Sequence, residues 1–477
     1  MTSPPGRRWA PVLSLCLGFF LNSLDGSIVA VVTPPVMRDL HATTDAVLWV
    51  TSAYLLAYAA PLLLAGRLGD RYGPRRVYLV GTAVFVVASV GCALSGTVGQ
   101  LVAARVVQGL GAALTAPQSM AIILRIVDTS WRGAAMGVWS TVGALANLVA
   151  PPLGGVLAAT VGWRWVFWVN VPLGLVVLLL VARQVPVLPG RDVRLPVGGT
   201  VLSAAALGAL TLGVQATLPT WASAGLLALG AGLGVVFWRS QARLGEAALI
   251  PARLLSIRPF AVAVAVVLVL ALVVTALPFP VMLWAQNAAG MSSSQAGLLL
   301  LPIGLVGAFA GAPIGRLVDR VGPERLAARG LALAVAATAL LAVALLLRSV
   351  PLVLVGATVY GLASSASWSP TSVLSLRSLP HDLGGAGSAV YNVARQLGMI
   401  IGAALTSVGV RLALTSVARD HDELAAMVAG DVPFDARSAY GVAMAALLVV
   451  LTLVNLAGAV LLARYRRTSP AAPSAAP

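Results

Sequence analysis

Three ionisable side chains stand inside apolar runs of the chain: Asp25, Arg105 and Arg395. A carboxylate in hydrocarbon is expensive and by default functional. Asp25 is therefore read as a proton-exchange site. Arginine holds its proton too tightly to carry it, so Arg105 is read as the group that tunes the acid. At 1.5 Å per residue, Asp25 lies about 20 Å along its run from Val12 and Arg105 about 7 Å inside the far end of its own. That leaves a depth gap of about 10 Å, to be spanned by the arginine itself or by Gln108 and water. The competing reading of Asp25 is a plain polar contact between helices. Arg395 is read as an interhelical tether, or else as a partner for an anionic group of a substrate.

Other chemistries lack their residues. All 31 basic residues are arginine. Without lysine there is no Walker loop, which excludes an ATP-driven pump, and no Schiff base. Cys16 and Cys92 both fall in apolar runs and are read as packing residues. His41, His381 and His421 fall in expected loops, so neither an intramembrane histidine relay nor a metal site is expected. No acid pair or catalytic constellation is visible, and the chain is expected not to be an enzyme. No cofactor is expected; the energy source would be a proton gradient.

The elements that must position these groups are membrane helices. Only 10% of the 477 residues are charged and 59% are hydrophobic, against about 25% charged in soluble domains. A hydrocarbon core of about 30 Å needs about 20 apolar residues per helix. Such runs are placed at 12–33, 47–66, 77–97, 100–124, 133–159, 164–183, 197–217, 221–239, 260–284, 294–315, 328–348, 351–376, 385–410 and 438–463. With both termini cytoplasmic, the outer segments hold only Arg38, Arg164, Arg348, Arg411, Arg419 and Arg437. The other extramembrane arginines fall inside, as the positive-inside rule requires. The net charge of +16 thus reflects topology and lipid contact, not nucleic acid. Residues 411–437, with Asp420, Asp422, Glu423, Asp431 and Asp435, form the one long outer loop. The tail from Ser469 is expected to be disordered.

The chain also repeats itself. Residues 66–76 read Gly-Arg-Leu-Gly-Asp-Arg-Tyr-Gly-Pro-Arg-Arg, and residues 315–325 read Gly-Arg-Leu-Val-Asp-Arg-Val-Gly-Pro-Glu-Arg, with eight of eleven positions identical. Both stretches would face the cytoplasm and join equivalent helices. Two parallel six-helix halves follow, an arrangement found in transporters. Gly66 and Gly73 suit close approach and a tight turn. Asp70 can pair with arginine or cap a helix. Asp70, Arg71 and Arg75, with Asp319 and Arg320 in the second copy, are the expected gating charges.

These residues resemble the major facilitator superfamily, and within it the fourteen-helix drug:proton antiporter family. The 66–76 loop is similar to the superfamily signature. Leu24-Asp25-Gly26-Ser27-Ile28-Val29 with Pro34-Pro35 is similar to that family's first-helix motif, and Arg105-Val106-Val107-Gln108-Gly109-Leu110-Gly111 to the motif tied to proton handling. Gly137, Ala146, Ala150, Pro151, Gly154 and Gly155 fall at the antiporter-motif spacing, two normally glycine positions carrying alanine. Trp163 to Gly174 and Tyr391 to Gly398 also match. The resemblance implies the major facilitator fold and export of drugs or antibiotics in exchange for protons, with a metabolite, lipid or siderophore as the alternative cargo.

The expected organisation is an all-α membrane protein. Residues 1–190 form one six-helix bundle, 191–258 two inserted linker helices, 259–467 a second bundle and 468–477 a tail. Gly137, Pro151, Gly154 and Gly155 would set packing and bending of one helix. The candidate substrate cavity comprises Tyr54, Tyr58, Gln108, Trp139, Asn147, Asn392, Arg395 and Gln396, since such sites are apolar and aromatic with few polar groups. A small amphiphilic molecule, protons and the lipid bilayer are the expected partners of a monomer in the inner membrane.

Overall fold

In hydrocarbon every backbone N–H and C=O must find its partner within the chain, which favours helices. Accordingly, every regular element among the described residues of this computed structural model is helical. The structure describes residues 5–193, 197–214, 220–245, 248–377, 379–380, 383–415 and 436–468. The expected outer loop, apart from its ends, and the tail lie outside the described residues, as do His381 and His421.

In chain order α1 is Pro5–Ile28, α2 Thr33–Asp39, α3 Thr44–Ala59, α4 Leu62–Tyr72, α5 Pro74–Ala93 and α6 Val98–Ile126. Next come α7 Arg132–Thr160, α8 Trp165–Trp168, α9 Asn170–Gln184, α10 Val197–Gly213, α11 Thr220–Leu244 and α12 Ala252–Ser256. The remainder are α13 Arg258–Ala276, α14 Pro278–Leu283, α15 Ser293–Val321, α16 Pro323–Leu346, α17 Val350–Arg377, α18 Gly384–Thr415 and α19 Arg437–Thr468.

Twelve helices among the described residues are long and apolar enough to cross a membrane. The expected run 47–66 is not one straight helix: α3 and α4 are bent by 46° at the break before Leu62. Pro61 supplies the cause, because it has no N–H to continue the helical ladder. Counted as one span, the pair makes thirteen. The fourteenth expected span is α10, with 17 helical residues that directly follow residues 194–196, which lie outside the described residues.

Local sequence fixes several helix ends. Thr97 accepts a hydrogen bond from the Gln100 amide at 3.3 Å, and Ser292 with Gln295 forms a capping box. Gly73 and Gly322 adopt φ of +88° and +92°, a region that glycine enters without penalty. Each is followed by proline at the first position of α5 or α16. The two copies of the repeat thus share one backbone solution.

The chain divides into two compact units. The first comprises Met1–Ile257 with Leu376–Val393 and the second Arg258–Ser375 with Ala394–Pro477. In the first, α6 packs against α3 and α5, and α1 against α7 and α9. Small residues permit this closeness. A Cβ on Gly109 would lie 2.5 Å from the Tyr54 carbonyl, and one on Gly111 2.6 Å from the Phe85 nitrogen. In the second unit α19 packs against α13 and α16 around buried Trp284, Tyr360 and Tyr440. A π-turn at Trp284–Ala288 lets Asn287 donate to the Tyr440 hydroxyl at 2.8 Å.

Candidate functional site

Asp25 lies in the last turn of α1, just before the helix tightens into a 3₁₀ turn at Val29–Val32. Its carboxylate is fully buried, and so are Arg105, Gln108 and Asn170 around it. Arg105 Nη1 donates to Asp25 Oδ2 at 2.6 Å. Gln108 Nε2, one turn further along α6, donates to Oδ1 at 3.0 Å. Asn170 Nδ2, at the start of α9, donates to the same oxygen at 2.7 Å. The expected depth gap of about 10 Å is therefore absent, because it was counted from run ends as though the helices stood parallel and untilted. Arg105 meets the acid directly.

Arg105 is held from other sides as well. Its Nε donates to the Val50 carbonyl at 3.2 Å, and its guanidinium lies 4.0 Å from the centre of the Tyr54 ring. Gln108 also donates to Ser89 Oγ at 2.8 Å. Two charges withdrawn from water cost several kcal/mol each unless geometry and further hydrogen bonds repay them, and here three donors converge on one acid. Arg105 Nη2 and Asn170 Oδ1 nevertheless have no partner. An orphaned donor and an orphaned acceptor in one buried cluster are unusual in a purely structural contact. Leu24, Ile28 and Phe167 belong to the apolar packing beside the cluster.

The loop expected to gate is partly buried. The sequence reading left Arg67 and Asp70 outside the bilayer, yet α4 continues through Tyr72 and both side chains are buried. Amphipathicity explains this: the polar face of α4 packs inward against protein. Asp70 accepts the amides of Gly385 and Ala386, each at 3.1 Å, at the start of α18. Arg125 Nη2 lies 3.8 Å from Asp70, and Arg67 reaches the Ala248 carbonyl. Arg75 donates to the Ala182 carbonyl, whereas Arg71 is exposed beside Tyr72. In the second copy Asp319 and Arg320 are both exposed. The buried Gly66 meets α18, where a Cβ would lie 2.5 Å from the Ala389 Cβ.

On α7, Gly137 is buried and Gly154 abuts Ile28, where a Cβ would come within 2.7 Å of a side-chain carbon. Gly155 has open space there, so close packing is not its role, and Pro151 is exposed. The candidate cavity residues do not gather into one cluster. Gln108 belongs to the Asp25 shell. Tyr54 and Tyr58 stack at 6.3 Å, and Trp139 stacks on Phe19 at 3.9 Å. Asn147 accepts from Ser27 Oγ at 2.7 Å. Asn392 donates to the Ser388 carbonyl at 2.8 Å. Half-buried Arg395 and buried Gln396 belong to the second unit.

Two features escaped the sequence reading. Asn170 was visible only inside the Trp163 to Gly174 match, and an amide carries no charge to draw notice. The second is a clip between Asp39 and the turn before α8. Asp39 Oδ2 accepts from Arg164 Nη1 and from Trp163 Nε1. The Arg164 hydrogen bond, then that of Trp163, holds the Asp39 carboxyl below the usual carboxylate range.

The Major Facilitator Superfamily pattern matches residues 15–403. An uncharacterised MFS-type transporter of Mycobacterium tuberculosis, Rv1250, is 39% identical over 83% of this chain and 69% of its own length. The putative multidrug resistance protein MdtD of Salmonella paratyphi B is 31% identical over 84% and 85%. The tetracenomycin C resistance and export protein of Streptomyces glaucescens is 36% identical over 67% and 60%. In fold the chain is similar to the human organic anion transporter MFSD10, with TM-score 0.66, 17% identity, and 95% of this chain and 100% of that one covered. With apolar helices along its length and a match of that extent, this multi-pass membrane chain belongs to the Major Facilitator Superfamily of transporters.

Proposed function

We propose that this protein exports small amphiphilic molecules, drugs or antibiotics among them, in exchange for protons by alternating access. The observation that carries the reading is the buried Asp25–Arg105 pair, sealed within apolar packing and bonded by two further amides. Two relatives bearing resistance or export in their names support the direction and the cargo class. In the proposed cycle a proton reaches Asp25 from outside once its shell opens. Arg105 then loses its counter-ion and the pair parts. Release of the proton to the cytoplasm restores the pair. Asp70, Arg71, Gly73 and Arg75, with Asp319 and Arg320, would control which side opens, while Tyr54, Tyr58, Trp139, Asn147, Asn392, Arg395 and Gln396 would contact cargo at different stages.

The same proposal comprises fourteen spans in the inner membrane with both termini cytoplasmic. Bundles at residues 1–190 and 259–467 flank linker helices within 191–258, and the working unit is a monomer without a cofactor. One observation favours a second role for Asp25: three donors and complete burial also suit a latch that holds α1, α6 and α9 together.

The test is efflux of a dye panel by everted and right-side-out vesicles, with and without a protonophore. Wild type is expected to move dye only when energised and only in the export direction. Asp25→Asn is expected to fold but lose gradient-driven efflux by at least about tenfold, the scale of one charged hydrogen bond. Wild-type coupled efflux by that variant would reduce Asp25 to the latch. Gradient-driven uptake, or no response to the gradient in wild type, would remove the exporter reading.

A further inference from the structure

The same unit holds a second polar feature, far along α6 from Arg105. A cavity of about 200 Å³ is lined by Arg125, Arg132 and Arg377, with walls from Leu124, Leu379 and Pro380. Arg125 lies in the last turn of α6, Arg132 opens α7, Arg377 ends α17, and Gly384, which also borders the cavity, opens α18.

The three guanidinium groups are not used up by the protein. Arg132 donates Nε to the Val127 carbonyl at 3.0 Å and Nη2 to the Leu124 carbonyl at 2.9 Å, which fixes its fork and leaves Nη1. Arg125 donates Nη1 to the Pro189 carbonyl at 3.3 Å. Its one acid partner among the described residues, Asp70, stands at 3.8 Å and is shared with two backbone amides. Its Nε is buried with no partner among the described residues. Arg377 makes no hydrogen bond or ion pair with the described residues. Among the described residues the nearby acids are Asp70 and Asp128, against Arg125, Arg132, Arg377 and Arg191; Asp382 lies outside the described residues. The 32-residue helix α18 begins at Gly384, and its first amides are taken by Asp70. Like charges gathered around an open space call for an anion.

We propose that this cavity binds a phosphate group, with Arg377 as its fork, Arg132 Nη1 as a further donor and Arg125 as the third charge. Guanidinium groups match the oxygens of a phosphate in pairs, which a point charge does not. Size sets the class. Drug-sized ligands need about 300–1,000 Å³, whereas 200 Å³ holds the equivalent of about six waters at about 30 Å³ each. A phosphoryl group fits within it. The phosphate is either inorganic phosphate or the headgroup of an anionic phospholipid.

The experiment uses the full chain in nanodiscs, with thermal unfolding followed by tryptophan fluorescence. Inorganic phosphate is titrated against chloride at constant ionic strength in phosphatidylcholine discs. A parallel set contains phosphatidylglycerol and no free phosphate. A saturable rise in Tm with phosphate in the first set assigns the free anion; a rise confined to the second assigns the headgroup. In either case Arg377→Gln should melt like wild type without the anion, since Arg377 has no bond to lose, and should need about tenfold more anion for half the effect. Should that variant fail to fold, Arg377→Lys keeps the charge without the fork and is expected to weaken binding several-fold. No saturable rise in either set, or equal affinity in wild type and variant, overturns the site.

Discussion

Asp25 keeps its place in hydrocarbon because Arg105, Gln108 and Asn170 all point N–H groups at it. Each partner therefore has its own signature. Asn170→Leu removes a donor that serves the charged carboxylate. Its gradient-driven efflux should fall several-fold in turnover, about the scale of one charged hydrogen bond, with apparent substrate affinity changed less than about twofold. Dye efflux measured over a range of substrate concentrations checks this, and unchanged turnover would make Asn170 a packing residue. Arg105→Lys keeps the charge but cannot hold the acid, the Val50 carbonyl and the Tyr54 ring together, so it should transport poorly despite normal abundance. At the Asp39 clip the folded carboxyl titrates below its unfolded value of 3.8. Its contribution is then complete above that value and is lost as pH falls through the folded one. Asp39→Asn should melt below wild type at pH 7, and the gap should close under strong acid; a constant gap would mean that charge is not involved. Asp25 and Arg105 were legible in the sequence because charge in an apolar run is conspicuous. Asn170 was not, since its partner stands 145 positions away and neither amide nor position advertises the meeting.

At the scale of elements, periodicity and length gave the helices, while a single proline decided where one of them broke. Pro61 sat inside an uninterrupted apolar run, so hydropathy alone carried the run straight through. The depth to which α4 is buried was equally hidden, because arginine and aspartate normally mark a span's end. Close packing supplies a test here. Gly109→Val would drive a side chain into the α3 backbone at the Tyr54 carbonyl. Overpacking of this kind costs about 1–3 kcal/mol, and because Tyr54 also covers Arg105, efflux should fall together with Tm. Normal transport by a thermally weakened variant would separate the two. Gly73→Ala faces a φ of +88°, a cost of about 1–2 kcal/mol, and Gly322→Ala faces the same strain. Gly73→Ala should lose more thermal stability than Gly322→Ala, because its Cβ would also lie 2.3 Å from the Leu188 carbonyl oxygen whereas a Cβ on Gly322 meets no backbone within 4 Å; equal losses would mean that φ alone sets the cost.

For the whole molecule the doubled loop is the most informative stretch of sequence, since it is the ground for expecting two matched halves, and its two glycines share one backbone conformation. The number of spans was less accessible: the 17 described helical residues of α10 stand at the lower end of the about 17–25 that a span needs. Topology is testable because both native cysteines are buried. In a background otherwise unaltered, Arg76→Cys should react with an impermeant maleimide only in everted vesicles and Gly162→Cys only in intact cells. The reverse pattern would invert the assigned orientation. Finally, the closure around Asp25 bears on the electrical tightness of the membrane. If protons do cross by that acid, a resting copy with no path to it wastes none of the cell's stored potential, however many copies are made. Trimming its cover, as in Tyr54→Ala, should then turn the protein into a slow ohmic shunt, visible as faster decay of an imposed pH difference across proteoliposomes in which no cargo is present.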